Sequence, residues 1–444
     1  MHKNDIRKNN LQMLIFEGEI YEKICPYMPE AVNYIIYSIP VFFLLIGIEL
    51  LFDKLNKTGY YRLNDALTNI NAGITEQVTG AFLKAFVVGI YLWLFDHYRF
   101  FTVPDTILTW VFLFIAVDFF YYWFHRLAHE VNVLWGGHVV HHQSEEYNLS
   151  VALRQGAFQK FGSFLFYLPL ALLGFNPVLF IVVSQFQTLY QFWIHTKTIK
   201  LLPAPIEYIF NTPSHHRVHH GRNPKYIDKN HGGTLIIWDR LFGTFQKEEE
   251  EVIYGITKPL NTWNPLRAQL DFWKNLAQDL SHTHKFTDKL KLLFLPPGWL
   301  PAELGGPKFA PEITPDTAVK YDTKIPVYLN YYVFAQFVLI LTFTSYFLFS
   351  FDNFDLLTNI LFMLLILLSV TSAGLILEAN RNAFFVEIFR LVITVFFYNY
   401  LLQNNIISNY SGYDLFVLIV INLISLVVFT PFKNVFSKKA HENK

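Results

Sequence analysis

Residues 118–143 read D-F-F-Y-Y-W-F-H-R-L-A-H-E-V-N-V-L-W-G-G-H-V-V-H-H-Q. The stretch runs from an apolar, aromatic segment into five histidines, and the histidines keep helical spacing. His125 and His129 lie four apart, so on one helix they share a face and aim two imidazoles at one point. His138, His141 and His142 repeat the pattern at spacings of three and four. Sixteen histidines spread evenly over 444 residues would place fewer than one in an 18-residue window, yet positions 125–142 hold five. A second cluster, S-H-H-R-V-H-H-G at 214–221, sets His216, His219 and His220 in the same phase. His215 sits beside them, about 100° round an ideal helix. The reading that follows is a helical fold delivering apolar segments to a histidine-rich site.

Composition agrees with a membrane setting. Hydrophobic residues make up 53% and charged residues 16%, with 46 Phe, 25 Tyr and 9 Trp, which is greasier than an ordinary globular chain. Apolar runs of the length needed to cross a hydrocarbon core cover Tyr34 to Phe52, about Ile74 to Phe95, Ile107 to Phe124, Val327 to Phe349, Leu356 to Leu377, Ala383 to Leu402 and Leu415 to Thr430. Phe161 to Leu173 and Pro177 to Ile194 read as a helical hairpin broken at Gly174, Asn176 and Pro177. The expected class is all-α: a multi-pass transmembrane helical protein of about nine membrane helices with a cytoplasmic, histidine-rich dimetal cap. Lys+Arg 35 against Asp+Glu 35 gives no net basic charge and argues against nucleic acid as a partner. One cysteine, Cys25, excludes an intramolecular disulfide and any cysteine-based metal site.

Residues 196–325 differ from the apolar blocks. They are polar, rich in Pro and Gly, and hold the second histidine cluster and the run KEEEE at 247–251. Arg126, Arg154, Lys197, Lys200, Arg217, Arg222, Lys225, Lys229 and Arg240 crowd the same side as the histidines, which under the positive-inside tendency is the cytoplasmic face. Residues 1–33 form an N-terminal cytoplasmic or interfacial segment with Lys3, Arg7 and Lys8, in which no cleaved signal is expected. Residues 34–290 are the expected catalytic membrane region with its polar cap, 291–326 a Pro/Gly-rich connector, and 327–444 a C-terminal four-helix membrane region with a tail.

Eight or more imidazoles in helical phase point to metal. Imidazole suits Zn, Cu, Fe and Ni, and one ion rarely takes more than six ligands, so this number implies two ions. Isolated core histidines, each hydrogen-bonded, are the ordinary alternative, but they do not explain two clusters in matching phase. A histidine-rich storage tract would be irregular. A zincin is disfavoured because Glu130 follows His129 instead of lying inside an HExxH pair. The expectation is a dinuclear iron centre.

The three motifs HRLAH, HVVHH and HRVHH resemble the histidine boxes of the fatty acid hydroxylase superfamily, the membrane group that includes sterol desaturases and C4-methylsterol oxidases. Further segments, F-Y-Y-W-F-H-R-L-A-H-E, G-H-V-V-H-H-Q-S-E-E-Y-N-L-S, Y-Q-F-W-I-H-T, N-T-P-S-H-H-R-V-H-H-G-R-N, I-D-K-N and I-I-W-D-R-L-F-G-T-F, resemble the alkylglycerol monooxygenase branch over about residues 60–265, as does the layout of extra helices after the catalytic part. The resemblance implies two irons, dioxygen, tetrahydrobiopterin and a membrane-dissolved alkylglycerol or lyso-ether-lipid substrate. Hydroxylation of the carbon beside the ether oxygen would give a hemiacetal, which falls apart to a fatty aldehyde and a glycerol derivative. Endoplasmic reticulum is implied for a eukaryotic source and the inner membrane for a bacterial one. Two rivals stand beside it: a sterol or fatty-acid hydroxylase or desaturase of the same superfamily, and a histidine-rich membrane metal transporter.

The resemblance makes His125, His129, His138, His141, His142, His216, His219 and His220 metal ligands, with His195 in W-I-H-T as a ninth. His215 is read as supporting the site from outside it. His231 stands in I-D-K-N-H-G where the family commonly has tyrosine. Asp118, seven residues before His125 in an apolar run, is expected to orient a ligand imidazole. Glu130 is expected to contact the pterin. Glu145 and Asn148, just past the second box, and Asp228 are candidate neighbours of the site.

Overall fold

A computed structural model describes residues 34–404, 406, 412–433 and 435–436. The expected N-terminal segment 1–33, Cys25 included, lies outside them. The described chain contains no strand, only two isolated bridges, Phe210 with Leu235 and Gly221 with Tyr254. Five helices among the described residues are long and apolar enough to cross a membrane: α2 (Leu63–Tyr98), α3 (Ile107–Glu130), α12 (Val327–Ser350), α13 (Leu356–Leu377) and α14 (Ala383–Gln403). α1 (Tyr34–Asn56) precedes them and α15 (Gly412–Phe429) follows.

Turn chemistry sets the hairpin of α5 (Gln159–Leu173) and α6 (Pro177–Trp193). Gly174 ends α5 at φ 90°, and a Cβ there would lie 2.0 Å from the Phe101 carbonyl oxygen, so glycine is required. The Asn176 side chain accepts the Val178 N–H and Pro177 opens α6. At 15 and 17 residues, these helices are shorter than a full bilayer crossing. Tyr91, Leu113, Val117, Leu170, Leu179 and Val183 join α2, α3, α5 and α6 in one apolar core.

α2 explains why its sequence reads as a weak membrane run. Its first half buries Asp65, Thr68, Asn69, Asn71, Thr75 and Glu76 against the polar cap, and only its second half, interrupted by Lys84, is predominantly apolar. The cap is built from short helices: α4 (Asn132–His142), α7 (Ala204–Ile209), α8 (Pro213–His219), α9 (Ile237–Phe242), α10 (Pro265–His282) and α11 (Phe286–Phe294).

The C-terminal helices pack on α2 and on the cap rather than standing apart. Leu67, Ile70, Ile74 and Val78 of α2 share a core with Phe337, Phe362, Val370 and Phe397. The Glu378 carboxylate accepts the Trp263 N–H at 2.8 Å and the Thr262 hydroxyl. Gly374 makes that approach possible, since a Cβ there would meet Asn264 Cα and the Trp263 carbonyl at 2.7 Å. The connector is equally engaged: Tyr321 N–H donates to Glu145 at 2.6 Å and Lys320 pairs with Glu146 at 2.7 Å.

Candidate metal centre

α3 carries His125 and His129 in its last two turns, and the chain bends at Val131 to begin α4 at once. α4 then lays His138, His141 and His142 across them. His195 follows α6, and α8 brings His216 and His219, with His220 at its cap. All nine are buried. They divide into two sets whose facing nitrogens lie within 4.8 Å of one another: His125, His129, His138, His142 and His219 in one, His141, His195, His216 and His220 in the other. The division crosses the sequence motifs. Adjacent residues His141 and His142 serve different sets, as do His219 and His220, because neighbours on a helix point about 100° apart.

Hydrogen bonds at the outer nitrogens fix the rings. Nδ1 of His125 faces the His231 carbonyl at 2.8 Å, His138 the Gln159 Oε1 at 2.8 Å, and His141 the Arg154 carbonyl at 2.7 Å. His195 faces the Gln191 carbonyl at 2.7 Å and His219 the Lys229 carbonyl at 3.0 Å. These acceptors demand a proton on Nδ1, so Nε2 of each neutral ring is a bare lone pair turned inward. Yet Nε2 of His125 and His138 stand 3.0 Å apart, and those of His141 and His195 3.2 Å. Two lone pairs at that distance repel; neither nitrogen has a proton to donate. A cation between them turns the repulsion into coordination. Nε2 of His129, His219 and His220 and Nδ1 of His216 are also buried without a partner, a costly state for polar atoms unless something binds them.

The cap histidines are held neutral. Burial, with the His129 imidazole beside it, pushes His138 down to about 3, and burial pushes His195 down to about 4. Burial first, and crowding by other imidazoles second, places His141, His142, His216, His219 and His220 well below the ordinary range. Neutral imidazole is the ligating form. The donor set, nitrogen only and in two groups of five and four, suits two borderline transition-metal ions such as iron.

Residues 110–244, which include all nine histidines, match the fatty acid hydroxylase family. Residues 329–411 match the alkylglycerol monooxygenase C-terminal domain. The chain is 41% identical over 374 residues to the alkylglycerol monooxygenase of Xenopus tropicalis, covering 83% of this chain and 82% of that protein. It is 39% identical over 393 residues to the human one, covering 88% of each. This chain belongs to the alkylglycerol monooxygenase family. A more distant relative, an ornithine lipid hydroxylase of Rhizobium tropici, is 32% identical over 135 residues, covering 30% of this chain and 40% of that protein. No solved structure matches.

Asp118 corrects the expectation that it orients a ligand ring. Its oxygens accept Thr234 N–H at 2.7 Å, Leu235 N–H at 3.1 Å and the Trp238 indole at 2.9 Å, so it holds the 231–238 loop. The His231 carbonyl that faces His125 Nδ1 at 2.8 Å lies on the same loop. Nor does Asp118 pair with Arg126, which bonds Glu130 at 2.9 Å. Glu130, a third exposed, is set by that pair at the rim.

His215 lies outside both sets. Its Nε2 meets Glu207 at 3.0 Å, and its Nδ1 closes a capping box with Thr212. Glu145 and Asn148 brace loops instead of lining the imidazoles: Glu145 accepts from Tyr321, while Asn148 donates to the Tyr60 carbonyl and accepts from Ser150. Asp228, at φ 56°, comes within 3.6 Å of His129 Nδ1. His231 is fully buried.

Several supports were not read from sequence. Gln159 and the carbonyls of Arg154, Gln191, Lys229 and His231 are tertiary partners with no motif of their own. Glu49 had a signal: it is a carboxylate inside the apolar run of α1. It accepts the Thr196 hydroxyl and the Leu149 N–H at 2.8 Å, pinning the segment that carries His195. Arg217 stitches the third box to that segment, donating to the Thr196, Ile199 and Lys200 carbonyls and pairing with Glu248 of the acidic run at 2.7 Å.

Proposed function

We propose that the chain is a membrane-bound, iron-dependent monooxygenase that hydroxylates the O-alkyl carbon of an alkylglycerol or lyso-ether lipid, using dioxygen and tetrahydrobiopterin. The observation that carries the reading is the pair of facing imidazole sets, within a chain whose relatives of matching length are alkylglycerol monooxygenases. His125, His129, His138, His142 and His219 would hold one iron and His141, His195, His216 and His220 the other. Iron and pterin together supply the activation of dioxygen, with one oxygen atom entering the C–H bond and the other leaving as water while the pterin gives up two electrons.

The protein's part is placement. An ether linkage lies where the alkyl chain meets the polar head, at the depth where apolar helix ends and polar cap begins. α3 spans that boundary: Ile107, Leu108, Val111 and Phe112 are exposed on its apolar length, and His125 and His129 are buried near its end. A chain lying along this surface brings its first carbon to the imidazoles. Asp118 keeps the 231–238 loop and hence the His125 ring fixed, and rim-placed Glu130 is the group proposed to meet the pterin. The hemiacetal product then collapses to aldehyde and a glycerol derivative. Nine membrane segments are reached by counting α1, the α5–α6 hairpin and α15 beside the five long helices. The basic residues of the cap support a cytoplasmic site, in the endoplasmic reticulum of a eukaryote or the inner membrane of a bacterium.

Aldehyde release from an alkylglycerol by membranes holding the chain, with and without tetrahydrobiopterin, tests this reading. Pterin-dependent aldehyde is expected. Iron-loaded protein that yields none, but hydroxylates a sterol or fatty acid, would move the substrate to another branch of the superfamily.

A further inference from the structure

His231 does not belong to any of the three histidine motifs, and nothing in its spacing marks it. Its backbone is fixed from both sides. The N–H donates to Asp239 at 2.7 Å and the carbonyl accepts from His125 Nδ1 at 2.8 Å. The loop around it is set by Asp228 and Asn230, both at φ 56°, and Asn230 donates to the His215 and Gln246 carbonyls at 3.0 and 2.7 Å. So braced, the side chain has little freedom to turn elsewhere.

The ring that this backbone presents is fully buried, neither nitrogen makes a well-formed hydrogen bond, and the Asp228 backbone acts on it only as a loose acceptor. Its centroid lies 5.1 Å from the His129 ring, 5.6 Å from His219 and 5.8 Å from His125. Those are three members of the five-histidine set, and members of that set stand 4.4 to 6.5 Å from one another. An imidazole used only for packing would be expected to bond at least one nitrogen, since an unpaired buried polar atom is destabilising. An aliphatic or phenyl side chain would fill the space without that cost.

We propose that His231 is a tenth metal-facing imidazole, directed at the ion of the five-histidine set from the His129–His219 side. The inference rests on the two-iron reading of the site. It widens the difference between the two ions, from five imidazoles against four to six against four, and it gives His231 a double part, its carbonyl orienting one ligand while its ring meets the ion.

The full-length chain, purified in detergent or nanodiscs and loaded with ⁵⁷Fe, is compared with His231→Phe and His231→Gln by Mössbauer spectroscopy and by chelator competition. In both variants one of the two iron signals is expected to change and the other to stay, with the affected iron lost to chelator roughly 10- to 100-fold more readily. The glutamine variant guards against a phenylalanine that fails to pack. If the wild type holds two irons and a folded variant gives the same two signals and the same retention, His231 is not a ligand and the two-iron reading stands. If the wild type holds no iron pair, the proposed function fails and this inference falls with it.

Discussion

Two regions of this molecule bury ionisable side chains among apolar helices, and they do it in opposite ways. In the C-terminal helices, Glu387 accepts from the Tyr332 and Ser372 hydroxyls and from Arg390, which donates to both carboxylate oxygens. Arg390 also donates to Gln336, whose amide donates to Ser425. None of these six side chains leaves a buried polar atom without a partner. In the imidazole centre the inward nitrogens meet each other, lone pair to lone pair, or meet nothing. The first arrangement is complete as protein and holds α12, α13, α14 and α15 together. The second presents lone pairs that a cation would complete. Buried polarity by itself therefore says little about function; what separates the two regions is whether the partners are already present.

The largest effect belongs to the incomplete region. His141→Ala removes a ring held by the Arg154 carbonyl and facing His195, and aldehyde release should fall to background while membrane insertion is unchanged. Full activity would remove the metal-site reading. In the complete region, Glu387→Leu leaves Arg390 buried without its counter-charge, and the expected loss is about 3–5 kcal/mol of stability. Thermal unfolding in detergent reads it. Pairing it with Arg390→Met should restore much of the loss, and iron content per folded chain should stay at the wild-type value in the double variant. A double variant as damaged as the single one would give the pair a role beyond its own neutralisation.

Smaller still is a pH effect confined to the imidazoles. In chelator-treated protein the unfolded chain protonates its histidines near pH 6.5, whereas folded His195 and His138 do so only at about 4 and about 3. Between those values the unfolded state binds more protons, so stability falls as pH falls, by about 1.4 kcal/mol per pH unit for each such group. Metal-loaded protein should resist that loss until acid competes for its ligands. A melting temperature of the chelated protein that does not move between roughly pH 7 and pH 4.5 would contradict neutral burial.

How much of this was legible in the sequence follows from the range of the interactions. The histidine motifs were legible because i, i+3 and i, i+4 spacing is a local geometric fact, and the hairpin was legible because Gly174, Asn176 and Pro177 carry their own turn chemistry. The partition into sets of five and four was not, since it depends on how α3, α4 and α8 cross. The outer-nitrogen acceptors escaped for the same reason: a carbonyl at Arg154 or Lys229 has no residue-type signature. Asp118 was flagged by a sound rule about ionisable groups in apolar helices, yet its partners turned out to be loop amides. The same rule applied to α1 would have found Glu49. The weakness of the α2 run reflects a helix that is half cap and half membrane.

The central claim is that nine buried imidazoles surround two ions, and it is tested most directly by counting metal. Iron bound per chain, measured on full-length protein purified from iron-supplied cells, should be two, with both lost in His141→Ala and His142→Ala combined, one residue from each set. A single ion, a variable load, or two ions retained after both changes would contradict the account.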